Sequence, residues 1–202
     1  LDFLPLMDAI AERGWTLVDD FIPPDLVQGL QEALPDEWQP AGIGRAQQHQ
    51  TNSAIRRDQI HWLEREAGGA VARYLAMMEQ LRLCANRELM LGLFDYEAHF
   101  ARYRPGDFYG RHRDAFAGRS NRRLTTVCYL NEGWQEADGG LLRLYGDDEQ
   151  FLSDIAPRAG RLVLFLSEAF PHEVLPARAE RHSIAGWFRV NGNAPGRVDP
   201  PR

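Results

Sequence analysis

Residues 160–190, GRLVLFLSEAFPHEVLPARAERHSIAGWFRV, decide the fold class. Three short apolar runs, Leu162–Leu166, His172–Leu175 and Ser183–Val190, are separated by segments carrying Pro171 and Pro176 and are too short for helices, so they read as strands. Working outward, the same two-residue period runs through Tyr96, Ala98 and Phe100, then Leu124–Leu130 and Leu141–Tyr145. Turn signals at Pro105-Gly106, Asn131-Glu132-Gly133, Gly139-Gly140 and Gly146-Asp147 separate these runs. No helical pattern intervenes after Asp95, which predicts an antiparallel sandwich or jelly roll.

Upstream the period lengthens. Leu4, Met7 and Ala11 mark one face of a helix, Trp15–Val18 a short strand, and Pro24 opens a second helix running to Leu34. Val71, Tyr74, Leu75, Met78 and Leu81 recur at spacings of three and four and predict a helix over 70–83. Helices first and strands after give an α+β fold, expected as a double-stranded β-helix with the N-terminal helices packed on the major sheet. One domain over 1–202 is expected, with 1–90 mainly helical support and 95–190 the jelly-roll core. The stretch 40–53, PAGIGRAQQHQTNS, has no consistent period, so a mobile loop or lid is expected near 40–62. The Gly- and Pro-bearing tail from Asn191 is expected to fray.

Composition narrows the chemistry. All 23 basic residues of this 202-residue chain are arginine, which removes Schiff-base catalysis and P-loop phosphate binding, since both need a lysine ammonium. A net charge of -6 and a pI near 5.5 disfavour nucleic acid and anionic membranes as partners. Seven arginines nevertheless fall within the 22 residues from Arg102 to Arg123, and a guanidinium fork suits carboxylates. Cys84 and Cys128 lack metal-type spacing and are too few for a disulfide scaffold, so a cytoplasmic location is expected. The first segment, with Asp2, Asp8, Glu12 and Arg13, reads as neither signal peptide nor membrane anchor.

Of the six histidines, His112 has Asp114 two positions on, and on an extended segment the two side chains point to the same side. His172 opens another expected strand. Two imidazoles and one carboxylate leave a divalent iron half its positions open, the arrangement of non-haem iron oxygenases. Arg181, nine residues after His172, shares a strand side with Ser183, Ala185 and Trp187 and can hold a carboxylate bidentately.

The segments YRPGDFYGRHRDAF, LTTVCYLNEGW, EADGGLLRLYGD, IRRDQIHWLE and GRLVLFLSEAFPHEVLPARAERHSIAGWF, in this order save for the early IRRDQIHWLE, resemble the prolyl hydroxylases that depend on iron and 2-oxoglutarate. The likeness is greatest to the oxygen-sensing hydroxylases of hypoxia-inducible factor and their bacterial relatives. The resemblance implies His112, Asp114 and His172 as ligands of Fe(II), and Arg181 as the anchor of the distal 2-oxoglutarate carboxylate, with Tyr129 and Tyr103 lining that pocket. It further implies Asp58, Trp62, Arg122 and Trp187 near the substrate, with Asp58 and Arg122 expected to pair across the entrance. The implied reaction is O2-dependent hydroxylation of a prolyl C4 in a protein loop, with release of succinate and CO2 and with ascorbate as a stimulant. Bacterial members act on elongation factor Tu, which makes it the expected partner of a monomeric enzyme. The stretch before Ile55 has no family counterpart, so substrate identity carries over least. Two alternatives share the same constellation: a 2-oxoglutarate oxygenase acting on a small molecule or alkylated nucleic acid, and a catalytically inactive cupin-like binding module.

Overall fold

A computed structural model describes residues 2–42, 54–64, 66–115 and 120–191. Residues 43–53 of the expected lid and the tail beyond Asn191 lie outside the described residues. Three helices, α1 (Leu4–Arg13), α2 (Pro24–Glu32) and α3 (Gly69–Leu89), accompany eleven strands. The strands are β1 (Trp15–Val18), β2 (Gln39–Pro40), β3 (Gln59–Trp62), β4 (Asp95–Tyr103), β5 (Tyr109–His112), β6 (Arg122–Tyr129), β7 (Leu142–Tyr145), β8 (Phe151–Ile155), β9 (Leu162–Leu166), β10 (His172–Val174) and β11 (Arg181–Arg189). They form a seven-stranded sheet ordered β1-β9-β6-β11-β4-β3-β2 and a four-stranded sheet ordered β5-β10-β7-β8, with antiparallel pairing throughout the named strands.

Strand parity divides the major sheet between two cores. On β9, Leu162 and Leu164 face the helices while Val163 and Phe165 face the minor sheet, so the strand is buried on both sides and reads as the unbroken run LVLFL. On β4 and β11, Tyr96, Ala98, Phe100, Ile184 and Phe188 join the helical core. Ala101 and Tyr103 join Val127, Tyr129 and the minor-sheet residues Leu142, Leu144, Ile155 and Val174 in the second core. A one-residue slip would exchange the two sets, which is why the register is strongly specified.

Helix α3 extends past the expected 70–83, because Cys84 and Ala85 continue its buried stripe until Met90 turns left-handed at φ 52°. At Gly186 a Cβ would stand 2.1 Å from the Tyr96 hydroxyl, so only glycine lets β11 pass beneath that ring. Four strands, β2, β3, β5 and β8, escape the apolar-period reading. In β8 only Ile155 is buried, and β5 (YGRH) carries no buried side chain, so neither shows the alternation that marks a core strand. Among the described residues no helix is long and apolar enough to cross a membrane.

Candidate active site

The minor sheet sets two histidines face to face. His112 ends β5, His172 begins β10, and they are register partners with ring centroids 4.3 Å apart. Each Nδ1 lies against a backbone carbonyl, Gly110 at 2.9 Å and Phe170 at 3.0 Å. A carbonyl only accepts, so both Nδ1 atoms carry the proton and both Nε2 lone pairs are left for a metal. Asp114, in the bend after β5, meets them with Oδ1 3.5 Å from His112 Nε2 and Oδ2 3.6 Å from His172 Nε2. The three ligand atoms lie within 4.8 Å of one another, close enough to share one cation.

Electrostatics keep Asp114 and His172 in their ligating forms. Burial alone would raise the Asp114 carboxyl, but His172 and His112, with Arg122 at longer range, hold it far below the ordinary carboxylate range. Burial lowers His172 to about 4, although Asp114 opposes this, so its imidazole is neutral at physiological pH. The Thr125 hydroxyl donates to Asp114 Oδ2 at 2.8 Å and lies 2.9 Å from Ser167 Oγ, fixing the carboxylate from behind. Tyr109 stacks on His112 at 3.6 Å and 13°, and the Arg56 guanidinium covers Tyr109 at 4.3 Å. The sequence did not single out Thr125, Tyr109 or Arg56, although each lies within a segment that carries the family resemblance, LTTVCYLNEGW, YRPGDFYGRHRDAF and IRRDQIHWLE respectively.

Arg181 is 1% exposed, with Nε on the Gly140 carbonyl at 3.0 Å and Nη1 on Ser183 Oγ at 3.2 Å. Gly140 has φ +62°, and a Cβ there would come within 3.1 Å of Arg181 Cδ. The guanidinium lies over the rings of Tyr103 (4.7 Å) and Tyr129 (5.1 Å). Among the described residues no carboxylate pairs with it, and the buried Tyr129 hydroxyl beside it has no hydrogen-bond partner. Burial pushes that hydroxyl up to about 12 against the pull of Arg181, so it remains a donor. A buried cation without a counterion, next to an unused donor, fits the carboxylate end of a dicarboxylate such as 2-oxoglutarate.

At the pocket wall Trp62 and Trp187 approach to 6.5 Å, with His99 between them at 5.1 and 5.4 Å. Among the described residues the buried Trp187 Nε1 has no hydrogen-bond partner. The expected Asp58–Arg122 pair is corrected by the structure. Arg56 takes both Asp58 oxygens at 2.6 and 2.9 Å, while Arg122 binds Glu97 at 2.8 Å and lies 3.6 Å over the Trp187 ring. Arg56 is two residues from Asp58 and Glu97 shares the inward face of β4, so both acquired nearer partners than the one expected.

Comparison with known proteins agrees with this geometry. Residues 98–189 match the 2OG-Fe(II) oxygenase superfamily. The crystal structure of a Pseudomonas putida prolyl-4-hydroxylase superposes with a TM-score of 0.84 at 44% identity, covering 95% of this chain and 100% of that one. The chain belongs to the prolyl hydroxylases of the 2OG-Fe(II) oxygenase superfamily. A Trichoplax adhaerens prolyl hydroxylase, solved with a peptide fragment of the hypoxia inducible factor oxygen degradation domain, superposes with a TM-score of 0.79 at 28% identity, covering 91% and 86% of the two chains. Mouse Egl nine homolog 1 is 31% identical over 91% of this chain, which spans 48% of that relative's length. Prolyl hydroxylases of this superfamily have the double-stranded β-helix, and the two sheets with their outer helices accord with it.

Proposed function

We propose that this chain is an Fe(II)- and 2-oxoglutarate-dependent dioxygenase that hydroxylates C4 of a prolyl residue in a protein loop. The observation that carries the reading is the buried Arg181, which among the described residues has no carboxylate partner, beside the Tyr129 hydroxyl, which among them has no hydrogen-bond partner, between the same two sheets as the His112, Asp114 and His172 trio. When bound, iron, 2-oxoglutarate and O2 supply the oxidant for C–H hydroxylation and yield succinate and CO2. The chain's own part is positional. His112 and His172 offer fixed Nε2 lone pairs, and Asp114 offers a carboxylate that stays ionised. The Arg181 fork and the Tyr129 hydroxyl take the distal carboxylate, with Tyr103 as a wall. Trp62, His99 and Trp187 form an apolar wall suited to a pyrrolidine ring and to exclusion of water.

A polypeptide substrate is supported by the peptide held in the Trichoplax relative, and elongation factor Tu is our leading candidate. Asp58 and Arg122 are assigned to the substrate entrance through their own partners, Arg56 and Glu97, rather than through each other. The free, buried thiols Cys84 and Cys128 suit a reducing cytoplasm. Incubation of the enzyme with Fe(II), 2-oxoglutarate, ascorbate and elongation factor Tu in air, followed by peptide mass spectrometry, tests the proposal. A gain of one oxygen on a named proline, matched by succinate, is expected. Succinate release that ignores every protein added would point to a small-molecule substrate, and no succinate at all would point to a binding module.

A further inference from the structure

Carboxylates neutralise most of the arginines around the barrel: Arg56 by Asp58, Arg111 by Glu149, Arg113 by Asp147, Arg122 by Glu97, Arg123 by Glu168 and Arg189 by Asp95. Arg102 and Arg104 stand out. Both direct guanidinium N–H groups at one neutral oxygen, Gln59 Oε1, Arg102 at 3.1 and 2.6 Å and Arg104 at 2.5 Å. Among the described residues neither guanidinium has a carboxylate partner; Asp107 accepts the backbone N–H of Arg104 instead, and the neighbouring Glu180 is engaged by His182 at 3.2 Å. Residues 43–53 include no acidic residue, and Asp199 is the only acidic residue of the sequence outside the described residues.

The pair is built rather than scattered. Arg102 lies on the outward face of β4, opposite Gln59 of β3 and His182 of β11, and its guanidinium is held 4.6 Å over the Trp38 ring. That stack fixes the fork's plane, with Nε and Nη2 turned to Gln59. Two cations sharing one uncharged acceptor repel each other, and an external anion relieves the repulsion. Arg181 presents the same pattern, a guanidinium with only neutral partners, inside the pocket. The patch lies on the other face of β4 from the pocket: Tyr103, between the two arginines in sequence, points inward against Arg181.

We propose that Arg102 and Arg104, presented on Gln59 and Trp38, form a docking site for an acidic segment of the protein substrate, outside the prolyl pocket. The proposal rests on the reading of the chain as a hydroxylase of proteins. With a net charge of -6 the enzyme as a whole repels acidic partners, so this local reversal of sign orients an incoming acidic loop.

Two measurements separate the proposal from the reading beneath it. Fluorescence anisotropy with a fluorescein-labelled hexaglutamate peptide needs no turnover. Binding is expected to weaken about tenfold in Arg104→Glu and in the Arg102→Ala/Arg104→Ala double variant, and to vanish at about 0.5 M NaCl. Equal binding by wild type and both variants overturns the docking site, as does tighter binding of a labelled hexathymidylate, which would make the patch a nucleic-acid site. In the second measurement a synthetic prolyl peptide is compared with the same peptide carrying a flanking run of four glutamates. The acidic version is expected to show a lower KM at unchanged kcat, an advantage lost in Arg104→Glu, whose turnover of the plain peptide is unaltered. Equal KM values for the two peptides overturn the proposal while hydroxylation stands. Arg104 is exposed, so its variant folds independently of the Arg102–Trp38 stack.

Discussion

His112 and His172 are direct cross-strand partners on β5 and β10, and each is locked by its Nδ1 proton onto the carbonyl two residues before it. Both lone pairs are therefore aimed before any metal arrives. Asp114, by contrast, lies outside the ladder and depends on Thr125 for its orientation.

Thr125→Val keeps the side-chain shape and removes the donor to Asp114 Oδ2. Affinity for Mn(II), followed by calorimetry without 2-oxoglutarate, is expected to fall by roughly 10- to 100-fold, as for other outer partners of metal ligands. Replacing His172 with Ala should abolish binding altogether. An unchanged Mn(II) affinity in Thr125→Val would show that the carboxylate is oriented by something else.

Tyr129→Phe removes a buried hydroxyl that has no hydrogen-bond partner among the described residues. Its urea midpoint is expected to stay level or rise, because no intramolecular hydrogen bond is lost. The KM for 2-oxoglutarate should rise about tenfold, the loss of roughly 1.4 kcal/mol. Arg181→Ala should raise it about a hundredfold, since a broken buried charge pair costs several kcal/mol. A destabilised Tyr129→Phe with normal KM would assign the hydroxyl to packing.

Arg56→Ala should be among the most destabilising changes near the entrance. It strips the partner from Asp58, whose side chain is 0% exposed, and such a loss costs about 3–5 kcal/mol. Chemical denaturation of Arg56→Ala beside Asp58→Asn and the double variant reads the coupling. Additive effects would mean that the pair is not coupled.

Stability should fall as pH drops from about 6.5 to 4, in part through His99. Burial first, and then the Arg56 charge, lower His99 from an ordinary 6.5 to about 4. Between those values the unfolded chain binds a proton that the folded chain refuses, so acidification favours unfolding, by up to about 3 kcal/mol for this group. His99→Met should flatten that part of the pH profile of the urea midpoint. A profile identical to wild type would show that His99 titrates normally.

Much of this protein is legible in its sequence. Strands buried on both sides, such as LVLFL of β9, announce themselves because every position must be apolar. Helix α3 follows from its three-and-four spacing, though its end at Met90 was set by continued burial of Cys84 and Ala85 against the sheet. The order His112, Asp114, His172, Arg181 marked the chemistry, because a motif needs only residue type and spacing. Tertiary structure alone decided the rest. Strands β5 and β8 carry no apolar alternation, as all their residues except Ile155 are half-buried or exposed, so only pairing with β10 and β7 makes them strands. Charge partners were likewise decided in space. Coulomb attraction and guanidinium geometry act over a few ångströms, and sequence separation does not reveal that Asp58 lies nearest Arg56, that Glu97 lies nearest Arg122, or that Arg102 and Arg104 share only Gln59.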